Sequence, residues 1–169
     1  MITYIGIDPG KSGAMCVLHG RNTSIAPVFY PFDEGVYVDV LKEIRQTHWN
    51  EGMFCVVEKV HAMPKQGVSS MFSFGMNFGF IQGILKTIGI PYQLVEPRTW
   101  TASFGCGSDK NRHIEVAKRL FPNVSLKRTE KCKNDFDGFA DALLLAEYGH
   151  RIHPNPYPIN RVSIGSGNV

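Results

Sequence analysis

The sequence predicts a mixed α/β sheet with helices on both faces, and three observations predict it. Apolar, strand-like runs crowd the first 32 residues. A continuous run, Met53-Phe54-Cys55-Val56-Val57-Glu58, has the composition of a strand buried on both sides. From there on, strand-like runs alternate with segments of helical length and periodicity, the pattern of sheets covered by helices.

From Ile2 to about Phe32 the chain reads as strands, with a hairpin turn near Gly20 to Asn22. Within it, Ile5-Gly6-Ile7 stops at Asp8 and turns on Pro9, Gly10 and Gly13, so Asp8 is expected at a strand tip. A helix from about Val36 to Trp49 precedes the strand that ends at Glu58. Turn residues from His61 to Gly67 lead into a long helix from about Ser69 to Ile88. Tyr92 to Glu96 is a strand, Pro97-Arg98-Thr99-Trp100 a short helix, and helices from about Asp109 to Phe121 and Phe136 to His150 complete the core. Residues 1–153 are expected to form one domain; the tail 154–169, with three prolines and Gly-Ser-Gly, reads as irregular or mobile.

The long helix carries Gly75, Gly79 and Gly83 at four-residue spacing beside a large apolar surface. Core packing against another helix is the default expectation for this stripe, and a subunit interface the alternative. Asn77, Gln82 and Lys86 argue against a membrane span.

With 169 residues, 43% hydrophobic and 20% charged, the chain is long enough for a single sizeable core and ordinary for a soluble protein. Its net charge of +3 permits an anionic partner without demanding one. Distribution says more. Residues 108–133 hold Lys110, Arg112, Lys118, Arg119, Lys127, Arg128, Lys131 and Lys133 against Asp109, Glu115 and Glu130, a local +5. Cys16, Cys55, Cys106 and Cys132 show no CxxC spacing and no histidine at zinc-finger spacing, which predicts neither structural zinc nor disulfides. No signal peptide is read at the N-terminus, and the expected location is the cytoplasm.

Four carboxylates carry the chemical signal. Asp8 and Glu58 end strand-like runs, and Asp137 and Asp141 stand four residues apart on one face of the last helix. Asp141 lies among Ala140, Ala142 and Leu143, so its part of the helix is expected to pack inward. A buried like-charge pair implies a metal ion or one acid held protonated. The plainer alternative makes Asp137 an N-terminal helix acid and Asp141 the partner of an arginine. A basic flank running into an acidic centre suits a nuclease, since cations position the phosphate backbone and carboxylates hold the metals that act on it.

The string Gly6-Ile7-Asp8-Pro9-Gly10-x-Ser12-Gly13-Ala14, then Val57-Glu58-Lys59-Val60 running into Met63-Pro64-Lys65-Gln66-Gly67, then Phe74-Gly75 and Gly79, resembles the RuvC-like Holliday junction resolvases. Pro97-Arg98-Thr99-Trp100, Lys110, Leu120-Phe121-Pro122 and Asp137-Gly138-x-Ala140-Asp141-Ala142-Leu143-Leu144 resemble the phage and phage-like branch in particular. The resemblance runs in collinear order over about residues 2–149.

It implies a ribonuclease H-like fold, a homodimer, and cutting of branched DNA, four-way junctions above all, by paired symmetric nicks that leave 5′-phosphate and 3′-hydroxyl ends. Two Mg2+ ions per active site, with Mn2+ able to substitute, would be held by Asp8, Glu58, Asp137 and Asp141. Lys110 would contact a phosphate near the metals, helped by Arg112, Lys59 or Lys65, and the loop from His61 to Ser70, with Lys65 and Gln66, would approach the junction. Arg98 and Trp100 either steer DNA or cap the core. Two departures stand out: His61 occupies the place where bacterial members carry a phenylalanine, and the last two acids are four residues apart rather than three, which keeps Asp135 in reserve as a ligand. A broader debranching nuclease, a non-catalytic junction-binding protein and an RNA or hybrid nuclease are the alternatives; an actin-like ATPase would need about twice this length.

Overall fold

The computed structural model describes residues 2–10, 12–20, 24–48, 51–59, 61 and 67–154. Its elements in chain order are β1 (Thr3–Ile7), β2 (Ala14–His19), β3 (Val28–Pro31), α1 (Glu34–Thr47), β4 (Met53–Glu58), α2 (Val68–Ile88), β5 (Tyr92–Val95), α3 (Pro97–Phe104), α4 (Lys110–Leu120) and α5 (Asp137–Ile152). The five strands form one sheet in the order β3-β2-β1-β4-β5. β2 runs antiparallel to both its neighbours, whereas β1, β4 and β5 are parallel. The mixed sheet expected from the sequence is present.

Alternation along the central strands feeds two cores. Ile5, Ile7, Met53, Cys55 and Val57 point to the face covered by α1 and α2, where they meet Tyr37, Leu41, Ile81 and Leu85. Tyr4 and Val56 point to the opposite face, against α5, α3 and α4. Gly6 shares that second face, and a Cβ there would lie 2.0 Å from the carbonyl oxygen of Ala142 and 2.4 Å from the amide nitrogen of Ala146. Only glycine lets α5 lie directly on β1.

Local signals fix the helix ends. Asp33 accepts a hydrogen bond from the Val36 amide at 2.9 Å and Asp109 one from the Asn111 amide at 2.9 Å, so each caps a helix start. Pro97 opens α3, and Gly89 and Gly105 close α2 and α3 with φ of 75° and 66°, a conformation glycine adopts without strain.

Two expectations change. The short helix at Pro97 extends to Phe104, because Trp100, Thr101 and Phe104 give it a buried side. The glycine stripe of α2 does not pack into the core: Gly75, Gly79 and Gly83 have no neighbouring atom within 4 Å of a Cβ position, since Ile81 and Leu85 on another side of the helix are what the sheet buries. Beside the stripe, Val68, Phe72 and Met76 are 80%, 70% and 55% exposed. The expected turn at residues 21–22, most of the loop 61–67, including Lys65 and Gln66, and the tail from 155 lie outside the described residues. Among those described, no helix is long and apolar enough to cross a membrane.

Candidate active site

β1 and β4 are parallel and in register, Gly6 opposite Val56 and Ile7 opposite Val57, so one further step sets Asp8 beside Glu58. Both acids follow residues that face α1 and α2, and alternation therefore turns both toward α5. Strands in a sheet are about 4.8 Å apart, close enough for the two carboxylates to repel.

The turn after β1 orients the first acid. One Asp8 carboxylate oxygen accepts the Gly10 amide at 3.1 Å, and Gly13 donates to the Gly10 carbonyl at 2.8 Å. The N-terminus of α5 sits against this turn: a Cβ on Gly138 would fall 2.3 Å from the Ser12 carbonyl oxygen. That close approach brings the first turns of α5, with Asp137 and Asp141, to the ends of β1 and β4.

Electrostatics record the crowding. Burial pushes the Asp8 carboxyl above its ordinary range; the Gly10 amide and Lys110 act against that, while Asp141 and Asp137 reinforce it. Glu58 is pushed up to about 7, first by burial and then by Asp8 and Asp141, against the opposing pull of a 2.8 Å hydrogen bond that the indole nitrogen of Trp100 donates to its Oε2. A proton or a cation is what such a group of carboxylates lacks.

Asp141 is already supplied. Its Oδ2 accepts from the Lys110 ammonium, and its Oδ1 lies 2.6 Å from the Nδ1 of His113. The other His113 nitrogen faces the Gly107 carbonyl at 2.9 Å. With an acceptor on each side, both nitrogens are placed to donate, an arrangement that favours the imidazolium. Burial works against that charge, but Asp141 and the Gly107 carbonyl prevail and raise the His113 pKa. Lys110 is likewise raised, burial being outweighed by Asp141, Asp8 and Glu58.

Oxygen-only donors suit a hard divalent cation, and the mutual repulsion of Asp8, Glu58, Asp137 and Asp141 supplies the charge such an ion would neutralise. Among the described residues no three Asp, Glu, His or Cys side chains are gathered to ion-holding distance. The pairing of Asp141 with two cations is a physical reason: both its oxygens are engaged elsewhere.

Of the remaining candidates, some line a cleft beside Glu58 and others are paired elsewhere. Trp100 is buried and its indole serves Glu58, so of the two roles considered for it the core position holds. Arg98, Lys110 and His113 line a cleft of about 470 Å³ with Glu58 and Trp100. Lys59 and His61 converge on Glu96 at 2.9 and 2.7 Å, and these two partners hold the Glu96 carboxyl below its usual range. Arg112 is exposed on α4. Asp135, the reserve ligand, pairs with Lys118 instead. In the basic stretch, Arg128 stacks 4.8 Å from the centre of the Phe136 ring. His113 was missed in the sequence; its only signal is its place three residues after Lys110, on the same face of the predicted helix.

No family model and no curated protein matches the chain by sequence. Solved structures do match it by shape. Thermus thermophilus RuvC in complex with a Holliday junction substrate superposes with a TM-score of 0.60 at 14% identity, covering 92% of this chain and 99% of that one. A second Thermus thermophilus RuvC structure gives a TM-score of 0.58 at 15% identity, again covering 92% and 99%. At such identity the likeness speaks to architecture, and the architecture is RuvC-like: a ribonuclease H-like α/β fold.

Proposed function

We propose that this chain is a metal-dependent, structure-selective endodeoxyribonuclease that resolves four-way DNA junctions by paired symmetric nicks, leaving 5′-phosphate and 3′-hydroxyl ends. The observation that carries the reading is the meeting of the strand-tip carboxylates Asp8 and Glu58 with the first turns of α5, a crowding that, with burial, pushes the Glu58 pKa up to about 7. Asp8, Glu58, Asp137 and Asp141 are the proposed ligands of two Mg2+ or Mn2+ ions. Bound there, the cations would activate a water for in-line attack and neutralise charge on the leaving 3′ oxygen. Trp100 orients Glu58, the Gly10 amide orients Asp8, and Lys110 offers an ammonium to the charge that builds on the phosphate. Arg98 and Arg112, with Lys59, His61, Lys65 and Gln66, are the proposed contacts to DNA. The motifs at residues 97–100 and 137–144 support a place in the phage-like branch, acting in the cytoplasm.

Two nicks on opposed strands call for two centres. The exposed side of α2 supports a homodimer, because it carries a ridge, Val68, Phe72 and Met76, next to a side-chain-free groove, Gly75, Gly79 and Gly83. A helix bearing both shapes fits a copy of itself.

The test is cleavage of end-labelled four-way, three-way and linear DNA in Mg2+, with Asp8→Asn as the control. Symmetric nicks in the four-way junction alone, lost in the variant, support the resolvase. Equal cutting of every branch would make the chain a debranching nuclease. Junction binding without cutting in either Mg2+ or Mn2+ would overturn the enzymatic reading in favour of a binding module, which the existing pairing of Asp141 favours.

A further inference from the structure

Asp141 is held by two cations of different character. His113 is fixed: its side chain is 4% exposed, one nitrogen is tied to the Gly107 carbonyl, and Trp100 packs edge-on at 5.1 Å between ring centroids. Lys110 is not fixed. It opens α4, its side chain is 54% exposed, and Asp141 is its one ion-pair partner among the described residues. It can therefore swing into solvent without disturbing the core, whereas His113 cannot. Asp141 Oδ1 stays committed to the imidazolium, and Oδ2 is the oxygen that can change partners.

We propose that Lys110 is a resident counter-ion that holds the place of a divalent cation on Asp141 Oδ2 and is released when that cation binds. This rests on the metal-centre reading above. It assigns Lys110 two successive positions: on Asp141 in the metal-free protein, and free to face a phosphate once an ion has replaced it. A charge-assisted pair of this kind competes directly with the ion, and the apparent affinity falls by the fraction of molecules in which Oδ2 is occupied. The consequence is a protein that loads weakly with metal until substrate draws the ammonium away.

The experiment is titration of the full chain with Mn2+ in the absence of DNA, following free Mn2+ by electron paramagnetic resonance. Wild type, Lys110→Met and Lys110→Gln are compared, with Lys118→Met as the control, since Lys118 lies on the same helix but pairs with Asp135. Circular dichroism identifies which Lys110 variant is folded, and the exposed helix start makes both substitutions tolerable. The expected result is Mn2+ binding about tenfold tighter in the Lys110 variants and unchanged in Lys118→Met, the range set by losing one charge-assisted hydrogen bond. In wild type, Mn2+ should also raise the rate at which acetic anhydride modifies Lys110, read by mass spectrometry. Binding in every variant with wild-type affinity would overturn the counter-ion role and leave the metal centre standing. No binding in any of them would overturn the metal centre and the counter-ion role with it.

Discussion

Neutralising Glu58 is expected to strengthen the fold while removing the proposed activity. Its folded pKa of about 7 stands above the ordinary 4.5, so the native state keeps this proton longer than the unfolded chain does. The stability it contributes is complete below about 4.5 and is lost as pH rises through 7. Glu58→Gln keeps an acceptor for the Trp100 indole and has no charge to repel, so its melting temperature should exceed wild type by about 2–4 °C or more at pH 8. That gap should close at pH 4.5; a gap independent of pH would show that Glu58 is not the strained group. Trp100→Phe removes the donor that favours the charged form, and the pH midpoint of Mn2+ binding should move upward, with wild-type binding retained at high pH. A midpoint that stays put would mean the indole only packs. Sequence alone exposed Asp8 and Glu58 because each ends an apolar run, and Asp137 and Asp141 because their four-residue spacing sets them on one helix face. Trp100 stayed ambiguous and His113 was missed, because hydrogen bonds between residues 42 and 28 positions apart leave no local pattern.

Among the elements, α2 and β1 use glycine for opposite purposes, and the same substitution should separate them. Gly6→Ala drives a methyl group into the backbone of α5 and is expected to cost at least about 3 kcal/mol or to prevent folding, as judged by denaturant titration. Gly79→Ala meets no atom and removes a flexible point in a helix, so a monomer should gain about 0.5–1 kcal/mol. If α2 is the dimer contact, the same methyl fills the groove, and sedimentation velocity should show weaker association despite the more stable protomer. Spacing revealed the stripe but not the side of the helix it occupies. The apolar residues of α2 encircle it, with Ile81 and Leu85 inward and Phe72 and Met76 outward, so periodicity could not choose a face. The strands were readable for the converse reason: β1 and β4 are buried almost throughout, and their composition announces it.

For the molecule as a whole, charge and symmetry set the expected behaviour. The basic stretch of residues 108–133 is partly spent within the protein, on Asp141, Asp135 and the Phe136 ring, so its pull on DNA is weaker than its +5 suggests. Junction binding should accordingly show a shallower dependence on salt than eight free cations would give, about 0.9 per phosphate contact in a log–log plot. The mixed sheet and its two layers of helices were legible from the alternation of elements, but the strand order β3-β2-β1-β4-β5 was not. The meeting of α5 with β1 was not, because it depends on a glycine contact across most of the chain. That contact has a consequence for biosynthesis. The central strand β1 leaves the ribosome well before α5, the helix that completes one of its two faces, so this core cannot close until α5 has emerged. Ribosome-held chains ending at residue 136 should remain as sensitive to protease as an unfolded polypeptide, and resistance should arrive in one step once α5 is free to dock.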